Sequence, residues 1–181
     1  YGLAVDSAKV QLYNCQLSNT LNHTLFVKGG DVEVNGCTIA QFYPFDGRRA
    51  TDIGIIPPLL NFKVINSIVT GYHDDEVVWT SPKNDEECNF CFDHCVLRTE
   101  KMNTEDSLKF TNTIYENLKD TTQFGEKHFR LVDTDNLKYD FRLRKESAAI
   151  GVADTATSLP TDRRGVLRDD KPDAGCYEFD E

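Results

Sequence analysis

The sequence predicts an all-β, stacked-coil architecture: a single-stranded solenoid of about five coils over residues 1–118, closed by a capping region over 119–181. Two observations predict it. One eight-residue phrase is written five times, and every copy carries the same break in hydrophobic parity. The copies are VQLYNCQL (10–17), VEVNGCTI (32–39), FKVINSIV (62–69), FCFDHCVL (90–97) and LKFTNTIY (108–115). A phrase recurring at such spacing marks a repeat architecture, in which each unit buries its apolar face against its neighbours.

Side chains along a strand alternate faces. Val10 and Leu12 share one face, but the next apolar pair, Cys15 and Leu17, has the opposite parity. One residue must leave the strand path to return them to the same side. That residue is Asn14, Gly36, Asn66, His94 or Asn112. Glycine accepts positive φ freely, and Asn and His are the other types enriched there. Each phrase therefore reads as strand, left-handed corner, strand. Stacking the copies makes columns, each expected to be interior. The first is Val10, Val32, Phe62, Phe90 and Leu108, and the second Leu12, Val34, Val64, Phe92 and Phe110. Cys15, Cys37, Ser67, Cys95 and Thr113 follow the corner, and Leu17, Ile39, Val69, Leu97 and Tyr115 close the set. The corner asparagines are expected to stack as a ladder.

Between the copies, TLFVK (24–28) and EVVWT (76–80) read as third strands. The remaining connections are a long insertion at 43–58, acidic turns at 70–75 and 81–87, and a polar loop at 99–107. Long loops on a rigid scaffold are where function concentrates.

Composition narrows the partners. Twenty Lys and Arg against thirty Asp and Glu give a formal charge of −10. That disfavours nucleic acid, whose binding depends on clustered cations. No apolar run approaches the ~18 residues of a membrane span. A full repeat phrase begins only nine residues after Tyr1, which leaves no room for a capping element, so the chain is expected to be the C-terminal part of a longer protein. Cys88, Cys91 and Cys95 have the spacing of half a zinc site, but their strand parities diverge. Most of the six cysteines are expected to be free and buried as small apolar groups.

The repeat stops at residue 119. The tail then carries DFRL (140–143), SAAIG (147–151), TDRRG (161–165) with Arg168, and PDAGCYE (172–178). This order of motifs resembles the C-terminal end of many bacterial extracytoplasmic parallel β-helix proteins. With the corner phrases, the chain resembles the right-handed parallel β-helix of the pectate-lyase-like superfamily. It departs from the usual pattern at Ala148, Gly151 and Cys176, where Pro, Asp and Ala are usual. The resemblance implies right-handed coils, an extracytoplasmic location at the cell surface or secreted, and a polysaccharide partner. It also implies that the tail is structural. Asp162, Arg168, Asp173 and Glu178 are expected to fix its turns, and its apolar residues to cover the last coil.

The densest chemistry-bearing run is His73-Asp74-Asp75-Glu76, with Arg48 and Arg49 in the preceding insertion. His73, Asp74, Asp75, Glu76 and Arg48 are the catalytic candidates for a lyase or hydrolase. Asp74, Asp75 and Glu76 are the candidate Ca²⁺ ligands, carboxylates being the hard donors that ion takes. Tyr43, Tyr72 and Trp79 lie near the same turns and are the candidate ligand-binding rings, since aromatic faces stack on apolar ring surfaces. Charged runs are more often solvated turns than sites. The expected function is therefore a non-catalytic scaffold or carbohydrate-binding surface with no resident cofactor. The alternative is a polysaccharide lyase or glycoside hydrolase working beside the long turns or in coils preceding Tyr1.

Overall fold

The computed structural model describes residues 1–82, 87–101, 108–120 and 122–180. Most of the acidic turn at 81–87 and of the loop at 99–107 lies outside them. The strands are β1 (Leu3–Asp6), β2 (Lys9–Tyr13), β3 (Gln16–Ser18), β4 (Leu25–Lys28), β5 (Asp31–Asn35), β6 (Thr38–Gln41), β7 (Ile53–Ile56) and β8 (Leu59–Ile65). There follow β9 (Ile68–Gly71), β10 (Val77–Trp79), β11 (Cys88–Asp93), β12 (Val96–Leu97), β13 (Phe110–Thr111), β14 (Ile114–Tyr115), β15 (Phe129–Asp133) and β16 (Lys138–Leu143).

The expected single-stranded β-helix solenoid of about five coils is not what forms. The strands lie in separate parallel sheets of four, five and five, each with its own hydrogen-bond ladder. The orders are β1-β4-β7-β10, β2-β5-β8-β11-β13 and β3-β6-β9-β12-β14. A two-stranded antiparallel sheet, β15-β16, follows, and more than half of the described residues lie outside strands. Repeat spacing could not reveal this: a phrase records what recurs along the chain, not how its strands divide into sheets.

The phrase does set the pairing register. Val10 pairs with Val32, Val32 with Phe62 and Phe62 with Phe90 in the second sheet. Leu17, Ile39, Val69, Leu97 and Tyr115 align in the third. All five corner residues have positive φ, from 47° at Asn112 to 60° at Gly36. Burial is complete only in the middle copies. Val34, Val64 and Phe92 are fully buried, whereas Leu12 and Phe110 at the two ends of that column are half-buried. Leu108, expected inside, is 75% exposed. An end copy has a neighbour on one side only, so its inward face is half covered.

The asparagine ladder is also corrected. Gly36 lies between Asn14 and Asn66, and His94 between Asn66 and Asn112, which puts successive asparagines about 9.5 Å apart, two strand spacings. Each finds another partner. Asn14 Nδ2 donates to the Thr161 carbonyl (2.8 Å), Asn66 Nδ2 to Asn35 Oδ1 (3.0 Å) and Asn112 Nδ2 to Asp93 Oδ1 (3.0 Å).

The tail runs along the flank of the sheets from last copy to first. Phe129, Phe141, Leu143, Ala149 and Ala174 bury the outer face of the third sheet at Ala40, Ile68 and Val96. Tyr177 Oη then reaches Gln16 Oε1 (2.8 Å), and Thr38 Oγ1 accepts the Cys176 N–H (3.1 Å). The four polar tail residues fix its turns. Asp162 Oδ1 accepts the Arg164 and Val166 N–H groups, Asp173 accepts those of Gly151 and Phe179, and Arg168 pairs with Glu178 (3.0 Å). The tightest approach is at Gly175, where φ is 99° and an added Cβ would lie 2.8 Å from Thr38 Oγ1 and 2.9 Å from Ile68 Cδ1. Gly175→Ala is therefore expected to destabilise the fold by about 1–3 kcal/mol through overpacking and backbone strain. Urea unfolding checks this, and an unchanged midpoint would show that the tail is not seated on the third sheet.

Candidate functional site

The acidic run lies where β9 turns into β10. Its four side chains do not converge. Glu76 is fully buried, its Oε1 accepting the His73 N–H (2.8 Å) and its Oε2 the Asp52 N–H (2.9 Å). Gly71 makes room for it: a Cβ there would lie 2.1 Å from Glu76 Oε1. His73 Nε2 is 3.1 Å from the Arg49 carbonyl. Asp75 Oδ1 accepts from the Val77 N–H (3.2 Å) and from Thr99 Oγ1, while Asp74 faces solvent. Arg48 is on the exposed insertion, paired with Asp46 (3.0 Å). Asp74, Asp75 and Glu76 thus form no common cage. Among the described residues, no group of three or more His, Cys, Asp or Glu is placed to hold a metal ion.

Glu76 belongs instead to a buried polar cluster assembled from segments far apart in sequence. Arg98 Nε donates to the His73 carbonyl (2.7 Å), and its Nη1 to Glu116 Oε2 (3.0 Å). Glu116 Oε1 meets His128 Nε2 (3.0 Å), and His128 Nδ1 meets Ser147 Oγ (2.9 Å). Asp52 is fully buried beside Glu76, and neither of its carboxylate oxygens has a hydrogen-bond partner among the described residues. Burial, with the Glu76 carboxylate next to it, pushes the Asp52 carboxyl well above its ordinary range. Burial likewise pushes Glu76 up to about 7. Burial also opposes ionisation of Glu116, but the His128 ring and the Arg98 guanidinium outweigh it and hold that carboxyl below its ordinary value.

Ser147, His128 and Glu116 are the residue types of a hydrolytic triad. Their setting is that of a strut. The serine is 6% exposed, the histidine is fully buried, and Ser147 Oγ accepts the Ala149 N–H (3.2 Å) within its own turn. A nucleophile must reach its substrate, and this hydroxyl is enclosed.

The three candidate rings are dispersed. Tyr72 stands edge-on to Phe42 (5.2 Å) with Arg49 over its face (4.6 Å). Tyr43 packs on Phe45 (5.5 Å), and Trp79 is tilted against Phe90 (5.3 Å) at the core margin. A ring row that the sequence reading did not single out lies on the outer face of the first sheet. Tyr1 and Phe26 stack at 4.8 Å and 24°, and Phe26 and His23 at 5.9 Å and 11°. His23 Nδ1 is 3.1 Å from both Thr51 O and Thr51 Oγ1, which fixes the ring over Gly54, where a Cβ would lie 2.5 Å from His23 Cδ2. Beside the row is a hollow of about 220 Å³ lined by Phe26, Gly54, Ile56, Val78 and Trp79. The available signal was the outward parity of Phe26 within TLFVK, opposite a glycine in the paired strand.

No family model matches this sequence, and no curated protein matches it either. The separate sheets replace the solenoid and β-helix designations, and the pectate-lyase-like, extracytoplasmic and carbohydrate associations rest on the motif resemblance alone. No helix among the described residues is long and apolar enough to cross a membrane.

Proposed function

We propose that this chain is a non-catalytic scaffold that offers the outer face of its first sheet to a partner, with a polysaccharide as the partner class. The observation that carries the reading is the placement of Glu76. The carboxylate at the centre of the acidic run is buried and committed to two backbone N–H groups, so the run braces the insertion against β10. Glycoside hydrolysis at that turn would need carboxyl groups paired across an open cleft at a set separation. The ring row supports the binding half of the proposal. Stacked aromatic rings give a flat, stiff apolar surface at small conformational cost, which suits the faces of sugar rings.

Two measurements test it. The chain incubated with polygalacturonate and Ca²⁺ is expected to release no unsaturated uronate, read by ultraviolet absorbance. Turnover that Asp75→Ala abolishes would overturn the non-catalytic assignment. In calorimetric titration with polysaccharides, Phe26→Ala is expected to weaken binding about tenfold or more, the effect of losing one stacked ring worth ~1–2 kcal/mol. Binding that survives this change intact would move the surface elsewhere.

A further inference from the structure

The six cysteines are all unbridged, but they are not equivalent. Cys15 and Cys37 hold the same phrase position in adjacent copies, each just past a left-handed corner. The Thr38 N–H donates to the Cys15 carbonyl (3.0 Å), and the Cys15 N–H to Cys37 Sγ (3.4 Å). Adjacent strands are ~4.8 Å apart, inside the ~4.4–6.8 Å range of Cα separations that disulfides span. The two sulfurs differ in access. Cys15 lies between the edge strands β2 and β3, half-exposed, with its thiol directed at the Tyr13 carbonyl (3.3 Å). Cys37 is fully buried behind it, with its thiol 3.4 Å from the carbonyls of Leu12 and Asn35. The edge position leaves Cys15 free to rotate its side chain toward Cys37.

We infer that Cys15 and Cys37 form a reactive dithiol, Cys15 attacking and Cys37 resolving, whose oxidant is a low-molecular-weight disulfide. This goes beyond the scaffold reading and uses none of its residues. The surroundings agree with the roles. The adjoining Cys37 side chain first, then the Tyr13 backbone and the Arg163 charge from the tail, hold the Cys15 thiol at about 6 despite partial burial. Cys37 shifts the opposite way, raised by that same contact and by burial. Burial raises Cys88, and burial with the nearby Asp93 charge raises Cys91, the other half-buried thiols.

The step balances. The Cys15 thiolate attacks one sulfur of the small disulfide, forming a mixed disulfide and expelling one small thiolate. The Cys37 sulfur then attacks Cys15 Sγ, its proton passing to the expelled thiolate. The Cys15–Cys37 bond forms, and the second small thiolate leaves and takes up the proton that Cys15 gave up on ionising. Two protein thiols are oxidised, and one small disulfide is reduced to two thiols.

The experiment treats the full chain with oxidised glutathione and maps the products by mass spectrometry. The wild type is expected to gain a Cys15–Cys37 cross-link with no glutathione retained. Cys37→Ser, which copies Ser67 of the next repeat, is expected to stop at glutathionylated Cys15, and Cys15→Ser to give neither product. Independently, iodoacetamide at pH 6 is expected to label Cys15 about tenfold faster than free glutathione, the higher thiolate fraction outweighing the weaker nucleophilicity. Wild-type protein that retains glutathione on Cys15, or cross-links a different pair, would overturn the proposal. So would Cys15 labelling no faster than free glutathione.

Discussion

Arg168→Ala is expected to cost about 3–5 kcal/mol of stability, the usual range for removing one partner of a buried ion pair. The guanidinium is 4% exposed and makes four contacts. Nη1 donates to the Asp173 carbonyl (2.8 Å) and to Glu178 Oε2 (3.0 Å), and Nη2 to the Gly175 carbonyl (2.7 Å) and to Asn14 Oδ1 (3.3 Å). Three of these hold the tail's turns, and the fourth ties the tail to the first corner. Truncation leaves the Glu178 carboxylate, 6% exposed, without its cation and leaves two buried carbonyls short of donors. Arg168→Lys should recover only part of the loss, because an ammonium cannot reproduce the planar fork. Urea denaturation of the three proteins measures it. An alanine variant within about 0.5 kcal/mol of wild type would show that the tail contributes nothing cooperative.

The domain is expected to be more stable at pH 5 than at pH 7.5. The folded chain raises both Asp52 and Glu76 above their ordinary values, Glu76 to about 7. A raised carboxyl binds its proton more tightly when folded. Its contribution is full below the unfolded-chain value and is lost as the pH climbs through the folded one. For Glu76 that window runs from the ordinary 4.5 to about 7 and carries about 3 kcal/mol at ~1.4 kcal/mol per pH unit. Glu116 acts in the other direction. Its lowered value gives stability that is present above 4.5 and is lost as the pH falls through the folded value. The stability maximum is therefore expected at about pH 4.5–6. Asp52→Asn, which fixes the neutral form, should raise stability at pH 7.5 and flatten the profile. Melting curves across this range decide the matter: stability that rises steadily from pH 5 to 7.5 would mean that Asp52 and Glu76 are not buried as a pair.

The parts of this molecule legible in its sequence are those encoded within one phrase. The parity break requires a left-handed residue, and Asn14, Gly36, Asn66, His94 and Asn112 all adopt one. What depends on segments meeting from a distance was not legible. Glu76 reads as a solvated acidic residue until the 43–58 insertion and Arg98 close over it. The cluster of Asp52, Glu116, His128 and Ser147 draws on four stretches of chain, none with a motif of its own. The tail motifs predicted turns correctly but not their seat, because the apolar outer face of the third sheet is spread over four copies as single residues, Ala40, Ile68, Val96 and Ile114. The ring row was missed for a related reason: Tyr1 joins His23 and Phe26 only through the pairing of β1 with β4.

The tail's path along the flank has a consequence for the order of events during folding. Strand pairing between copies joins residues some 18–30 positions apart, whereas the tail's bonds to the first copy span 147 and 161 positions. Contacts that close long loops form late, after local ones have been made. The three sheets should accordingly assemble first and wait with Ala40, Ile68 and Val96 uncovered. A probe near Tyr177 in stopped-flow refolding should lag one near Phe62; simultaneous signals would contradict this order. On the ribosome the wait is longer still, since the covering strands β15 and β16 are made after the sheets they cover. The interval in which these sheets can stick to their neighbours is set by the time needed to synthesise the stretch from Phe129 to Ala174 that covers them.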